Sequence, residues 1–387
     1  MRRSWVCAVL CAGMLLAVSC RQDVIVWPSE SEKAGEAVSG PIAGFYLLNE
    51  GNMGSNKCTL DFYDYASATY TRNVYGNANP DVVKELGDVG NDLQVYGSRL
   101  WAVINCSNKV EVMDAGTARR LGQIEIPNCR YLAFDGPYAY VTSYAGPVQI
   151  DDNYKQRGYV ARIDTATLQV VDTCLVGYQP DGIAILDGYA YIANSGGYMV
   201  NNYERTVSVV DLATMSEVRR IPVAVNLHLA VADRFGQLWV SSRGDYYDAP
   251  ASLYWIDRPG SLAAVNELRS PAGNHVAASA MALCGDSLYI VGSEFSYVTY
   301  ETVMTFGIVN VRTHELVCQN FITDGTDSKI RKPYSVAVNP DNGQIMVADA
   351  RDYVNPGRLY CFSPDGVRLW DVRTCDIPAH FAYVRRR

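Results

Sequence analysis

A four-strand phrase recurs along this chain and constrains its fold more than any other feature. Within 179–223, four alternating runs follow one another at 182–186, Tyr189–Asn194, Thr206–Asp211 and 217–223, each rich in Val, Ile, Tyr or Ala. Asp187-Gly188 and Ala213-Thr214 supply the tight turns that such strand pairs need. Versions of the phrase begin near Asn91, Tyr131, Leu227, Ser279 and Tyr334. Repeats of roughly 40–55 residues with four strands each are a propeller signature. The N-terminal copy supplies only three strands, and its missing inner strand is expected at the other end of the chain, from Ala379 to Val384. Completing the first blade with the last strand closes the ring and removes exposed sheet edges. The expectation is therefore an all-β, seven-bladed propeller over 41–387, with four-stranded antiparallel blades.

The first twenty residues have another logic. Arg2 and Arg3 precede a short apolar run ending in Ala17-Val18-Ser19-Cys20. The run is too short for a durable membrane span and reads as a signal peptide over 1–19. The last four residues look like a bacterial lipobox, with Cys20 as the acylated mature terminus. Residues 20–40 are polar and without periodicity, and read as a flexible tether to that lipid anchor. The formal net charge of −8 argues against nucleic acid as a partner.

Eight cysteines follow Cys20. Cys174, Cys284, Cys318 and Cys361 fall inside strand phrases, where Cys behaves as a small hydrophobe. Cys106 and Cys129 fall on the same face of one blade and are candidates for pairing. The four His are scattered: His228 and His275 in connections between blades, His314 in a turn and His380 in the closing strand, where it reads as a satisfied core residue. That is a poor metal cluster. No GxSxG elbow marks a hydrolase, and no cofactor motif stands out. Asp245 with Asp248, or Asp151 with Asp152, offers hard oxygen ligands for Ca²⁺ but lacks the alternation of a calcium loop.

The loops are strongly asymmetric. Turns expected on one face are minimal, as at Gly97-Ser98, Asp135-Gly136, Gly285-Asp286 and Asn342-Gly343. Loops on the other face are long, at 143–157, 195–205, 242–251, 292–305 and 350–357. Extra loop residues without a folding role are where binding tends to sit. The chain has 27 Tyr against 9 Phe, and many Tyr fall in these loops beside Asn. Tyr presents a flat apolar face and a hydroxyl at low entropic cost; equally, a lone loop Tyr can simply wet its phenol at the surface. The candidate ligand-binding set is Tyr144, Tyr154, Tyr198, Asn201, Asn202, Tyr203, Arg243, Tyr246, Tyr247, Tyr297, Arg351 and Tyr353. Such a set suits a broad or ring-bearing ligand with amide or hydroxyl edges.

The phrase GYQPDGIAILDGYAYIANSGG, with TVSVVDLATM after it, resembles the repeat of YVTN or YncE-like seven-bladed propellers. The phrases SSRGDYYD, NFITDGTD, DARDYVNPGRLYCFSPDG and DIPAHFAYV are similar to those of BtuG-type surface lipoproteins from gut bacteria. That resemblance implies capture of cobalamin or another corrinoid, without catalysis, and transfer to a TonB-dependent outer-membrane transporter. Two other classes remain open. One is a surface binder of glycans or peptides, since stacked Tyr serves sugars equally well. The other is a propeller enzyme, a lyase or a quinoprotein-like oxidoreductase.

Overall fold

The computed structural model describes residues 29–82, 86–257, 264–295, 297–298, 300 and 302–386. The leader and Cys20 lie outside the described residues. Seven antiparallel sheets form the ring. In blade 4 the strands are Pro180–Leu186, Tyr189–Asn194, Thr206–Asp211 and Ser216–Pro222, within two residues of the expected runs. Their alternation puts Ala190 and Ile192 into one interblade core and Tyr191 and Ala193 into the next. Burying both faces against neighbours is what makes each blade stable, at roughly 25 cal/mol per Å² of apolar surface. Gly188 occupies a left-handed turn position (φ 78°) that a side chain would strain.

The ring closes as expected. Pro378–Arg385 pairs with Ile42–Asn49 in the register Tyr46 to Ala382 and becomes the innermost strand of blade 1. Blade 1 also holds a short helix at Val74–Ala78 whose Tyr75 is buried. The inner strands of the other six blades are Gly90–Tyr96, Cys129–Asp135, Pro180–Leu186, Leu227–Ala232, Ala280–Cys284 and Pro333–Val338. All seven line the axis, each starting at the face of the long loops.

Three expectations need correction. The tether is not uniformly loose: Ser31–Lys33 adds a fifth, outermost strand to blade 1 by pairing with Thr69–Thr71. Arg72 binds both Glu30 and Glu32 there, and Ala34 is buried in the cluster that contains Trp370. The loop expected at 292–305 is mostly a hairpin, because Ser287–Phe295 pairs with Thr302–Asn310 along nine residues each. Finally, Cys106 and Cys129 are both free thiols. The Cys129 Sγ points to the carbonyls of Ile104 and Lys109, at 3.7 and 3.3 Å, whereas Cys106 turns to Asn105 Oδ1 at 3.4 Å.

Candidate ligand-binding site

An axial cavity of about 830 Å³ opens toward the face carrying the long loops. Its depth is apolar, with Leu93, Leu132, Ile183, Ala280, Val336 and Phe381 contributed by successive inner strands. The strands crowd closely here: a Cβ on Gly182 would lie 2.6 Å from His228 O and from Ala230 N. A residue with a side chain at that position would force blades 4 and 5 apart.

Polar groups gather at the outer ends of the inner strands. On one side Asp181, fully buried, takes Arg130 Nε at 2.9 Å and Tyr144 Oη at 2.8 Å on Oδ1, and Arg243 at 2.8 Å on Oδ2. Burial alone would raise the Asp181 pKa, but Arg130 and Arg243 outweigh it and hold the carboxyl well below the usual range. The Arg130 guanidinium also lies over the Tyr144 ring, 4.8 Å from its centroid. Two guanidiniums thus share one carboxylate, leaving a formal excess of one positive charge. His228 adjoins them, its Nε2 2.9 Å from Tyr131 Oη. Burial and then Arg243 push its pKa well below 6.5, so the imidazole is neutral at pH 7.

Across the axis, Glu50 accepts a hydrogen bond from Tyr334 Oη at 2.8 Å. His380 Nε2 stands 3.4 Å from the other Glu50 oxygen and has no hydrogen-bond partner. His380 is therefore a cavity-wall residue whose Nε2 is buried beside Glu50 without a hydrogen bond, not a satisfied core residue, and His228 lies in an inner strand rather than a connection. Between the two groups Tyr131 touches both imidazoles, with ring centroids 5.9 Å from His228 and 6.4 Å from His380.

The rim is aromatic. Tyr247 stacks on Tyr297 at 5.5 Å, and Tyr246 meets the same ring edge-on at 6.4 Å. Tyr247 is 61% exposed and Tyr297 50%, so their faces are open to solvent. Tyr246 and Tyr353 hold left-handed backbone conformations (φ 68° and 64°), uncommon for bulky residues.

The structure divides the expected binding set. Tyr198, Arg243 and Tyr246 line the cavity. Tyr247 and Tyr297 extend its rim, and Tyr203 is half-buried close to Tyr246 and Asp245. Tyr144 is buried as a brace for Asp181 instead of facing a ligand, with Tyr198 edge-on to it at 6.3 Å. Tyr154 is buried outside the cavity, and its hydroxyl has no partner. Asn201 is held by Asp152. Asn202 is exposed, with its backbone N–H donating to Met199 O at 2.7 Å. Tyr353 lies beside Tyr334, ring centroids 5.8 Å apart, while Arg351 belongs to a separate recess. Among the described residues no group of three or more His, Cys, Asp or Glu could hold a metal. Asp245 is committed to the amides of Tyr247, Asp248 and Ala249.

Arg130, Tyr131, Asp181, His228, Glu50 and Tyr334 were missing from that set. Their signal was present but faint: charged or aromatic residues at the second or third position of an inner strand or, for Glu50, just after the strand Ile42–Asn49.

Residues 43–360 match the family described as Domain of unknown function (DUF5074). The chain belongs to this family. No curated protein matches the DUF5074 chain. Among solved structures it is similar to a quinoprotein alcohol dehydrogenase-like protein of Bacteroides thetaiotaomicron, at 14% identity and TM-score 0.59 over 88% of this chain and 78% of that one. It is also similar to AztD of Citrobacter koseri, at 12% identity and TM-score 0.51 over 89% and 99%. At such identities the likeness is one of fold alone.

Proposed function

We propose that the axial cavity and its tyrosine rim capture a broad, ring-bearing small molecule with an acceptor-rich or anionic substituent, without transforming it. The observation that carries this reading is the pair Arg130 and Arg243 sharing the single carboxylate of Asp181 beneath an aromatic mouth. A rigid mouth of this kind lets an apolar ring pack on Tyr while the guanidiniums meet its oxygens, with little ordering cost. Closed blades on every side hold the cavity in shape before the ligand arrives.

A corrinoid fits that description. Its ring is broad and apolar on its faces, with amides around the edge, and the resemblance to BtuG-type lipoproteins favours cobalamin. The same reading includes acylation at Cys20, anchoring at the outer membrane and transfer to a TonB-dependent transporter. The exposed Tyr247–Tyr297 stack also favours a glycan, which would use the rim and leave the guanidiniums idle.

Calorimetry separates these ligands. Cyanocobalamin is expected to bind saturably, and Arg243→Gln should weaken it by about 10–100-fold, the cost of one charge-assisted contact. Absence of cyanocobalamin binding at micromolar protein rejects the corrinoid. Binding of oligosaccharides that is lost in Tyr247→Ala but kept in Arg243→Gln puts the glycan in its place.

A further inference from the structure

The connection 319–332 between blades 6 and 7 helps to form a second recess of about 360 Å³, which shares no lining residue with the axial cavity. Its walls carry Lys329, Arg331, Arg351, Arg358 and Arg368, against Asp349 and Asp371. Five cations facing two carboxylates are unexpected on a chain whose formal net charge is −8.

Both carboxylates are already engaged. Asp371 binds Arg358 and Arg368, and so fixes two guanidiniums side by side. Asp349 accepts the backbone N–H groups of Lys332 and Arg351 at 2.8 Å and of Arg331 at 3.2 Å. Its charge therefore pins the two loops that carry Arg331 and Arg351 through their backbones rather than their side chains. Among the described residues Lys329, Arg331 and Arg351 form no ion pair. Tyr360 adds an independent sign: it is only 5% exposed, it lines the recess, and its hydroxyl has no hydrogen-bond partner among the described residues. A hydroxyl that borders the recess without a protein partner is available to donate to a bound ligand.

We propose that this recess binds a compact oxyanion, the phosphate or sulfate group of a small ligand. The planar guanidiniums of Arg331 and Arg351 would meet its oxygens from the open side, as Arg does when it recognises phosphate. The Asp371-held pair Arg358 and Arg368 supplies positive charge behind it, and the Tyr360 hydroxyl donates to it. Because no residue is shared with the axial cavity, the site stands whether or not that cavity takes a corrinoid.

The test is isothermal titration at low ionic strength with two probes, inorganic phosphate and glucose 6-phosphate. The parent protein should bind at least one of them saturably. Preference for inorganic phosphate identifies the free ion as the ligand, and preference for glucose 6-phosphate identifies an ester; either result supports the site. The double variant Arg331→Gln, Arg351→Gln should bind at least tenfold more weakly. It should melt with the parent when no ligand is added, since neither side chain forms an ion pair. Tyr360→Phe is a second variant that keeps the packing of the ring, and it should weaken binding severalfold. Saturable binding of neither probe overturns the proposal. So does equal affinity in the parent and both variants.

Discussion

Tyr144 and Tyr247 sit on the same face of the ring, yet they belong to regions built for different tasks. Tyr144 is 2% exposed, lies beneath Arg130 and donates its hydroxyl to Asp181. Tyr247 is 61% exposed and touches little beyond Tyr297. The polar layer just beneath the rim, above the apolar depth of the cavity, is a floor for the ligand in which Asp181 braces Arg130, Arg243 and Tyr144. The rim is a set of rings held mainly by their backbones. A floor of the first kind fixes the shape of the cavity, whereas a rim of the second kind leaves apolar faces unspent for a ligand. Disturbing the floor should therefore cost stability and binding together, and disturbing the rim should cost binding alone.

The largest effect is expected at Asp181. Asp181→Asn leaves Arg130 and Arg243 without a counter-charge, and breaking a buried pair costs about 3–5 kcal/mol. Chemical denaturation at pH 7 measures it, and a loss under 1 kcal/mol would mean that water already screens this network. The sign of the pH dependence is fixed. The folded Asp181 pKa is depressed below its ordinary 3.8, so its contribution is complete above that pH and is lost as pH falls through the folded value. Parent and variant should converge in stability as the solution is acidified below about pH 3.8.

Next comes the rim. Tyr246→Ala should weaken ligand binding by about 1–3 kcal/mol, the range of an aromatic hot spot. The unfolding free energy should move by less than about 0.5 kcal/mol, as for other solvent-facing side chains. A destabilisation as large as that of Asp181→Asn would erase the distinction between rim and floor.

A smaller effect concerns His228. Its folded pKa lies well below 6.5, so the unfolded chain takes up a proton first as pH falls beneath that value. Stability should decline with acidification at no more than about 1.4 kcal/mol per pH unit from this group. His228→Gln should flatten that part of the profile, and an unchanged slope would assign it to other groups. The smallest effect is expected on the opposite face: Ser98→Ala, in a tight turn, should alter neither affinity nor stability beyond measurement error.

The architecture was legible because its cause is local. Period-two alternation, paired turns and a repeated phrase are written residue by residue, and they specify strands, blades and blade number. The split first blade was legible too, since 379–384 reads as a strand without a neighbour. The outer strand Ser31–Lys33 was not, because it exists only where Arg72 receives Glu30 and Glu32 from a segment some forty residues away.

The site was legible only in outline. Loop length and tyrosine content single out one face as the candidate, but nothing in the residue type distinguishes Tyr144 from Tyr247. That choice depends on what lies beneath each ring, and the carboxylate under Tyr144 comes from Asp181, thirty-seven positions later. Arg130, Asp181 and Arg243 belong to blades 3, 4 and 5, and only the packing of those blades around the axis brings both guanidiniums within 3 Å of the Asp181 carboxylate. The sequence alone determined the strands, the ring and the face, because those follow from short-range pattern. Tertiary structure decided which side chains are braces and which are open, because burial and charge pairing are set by neighbours far away in the chain.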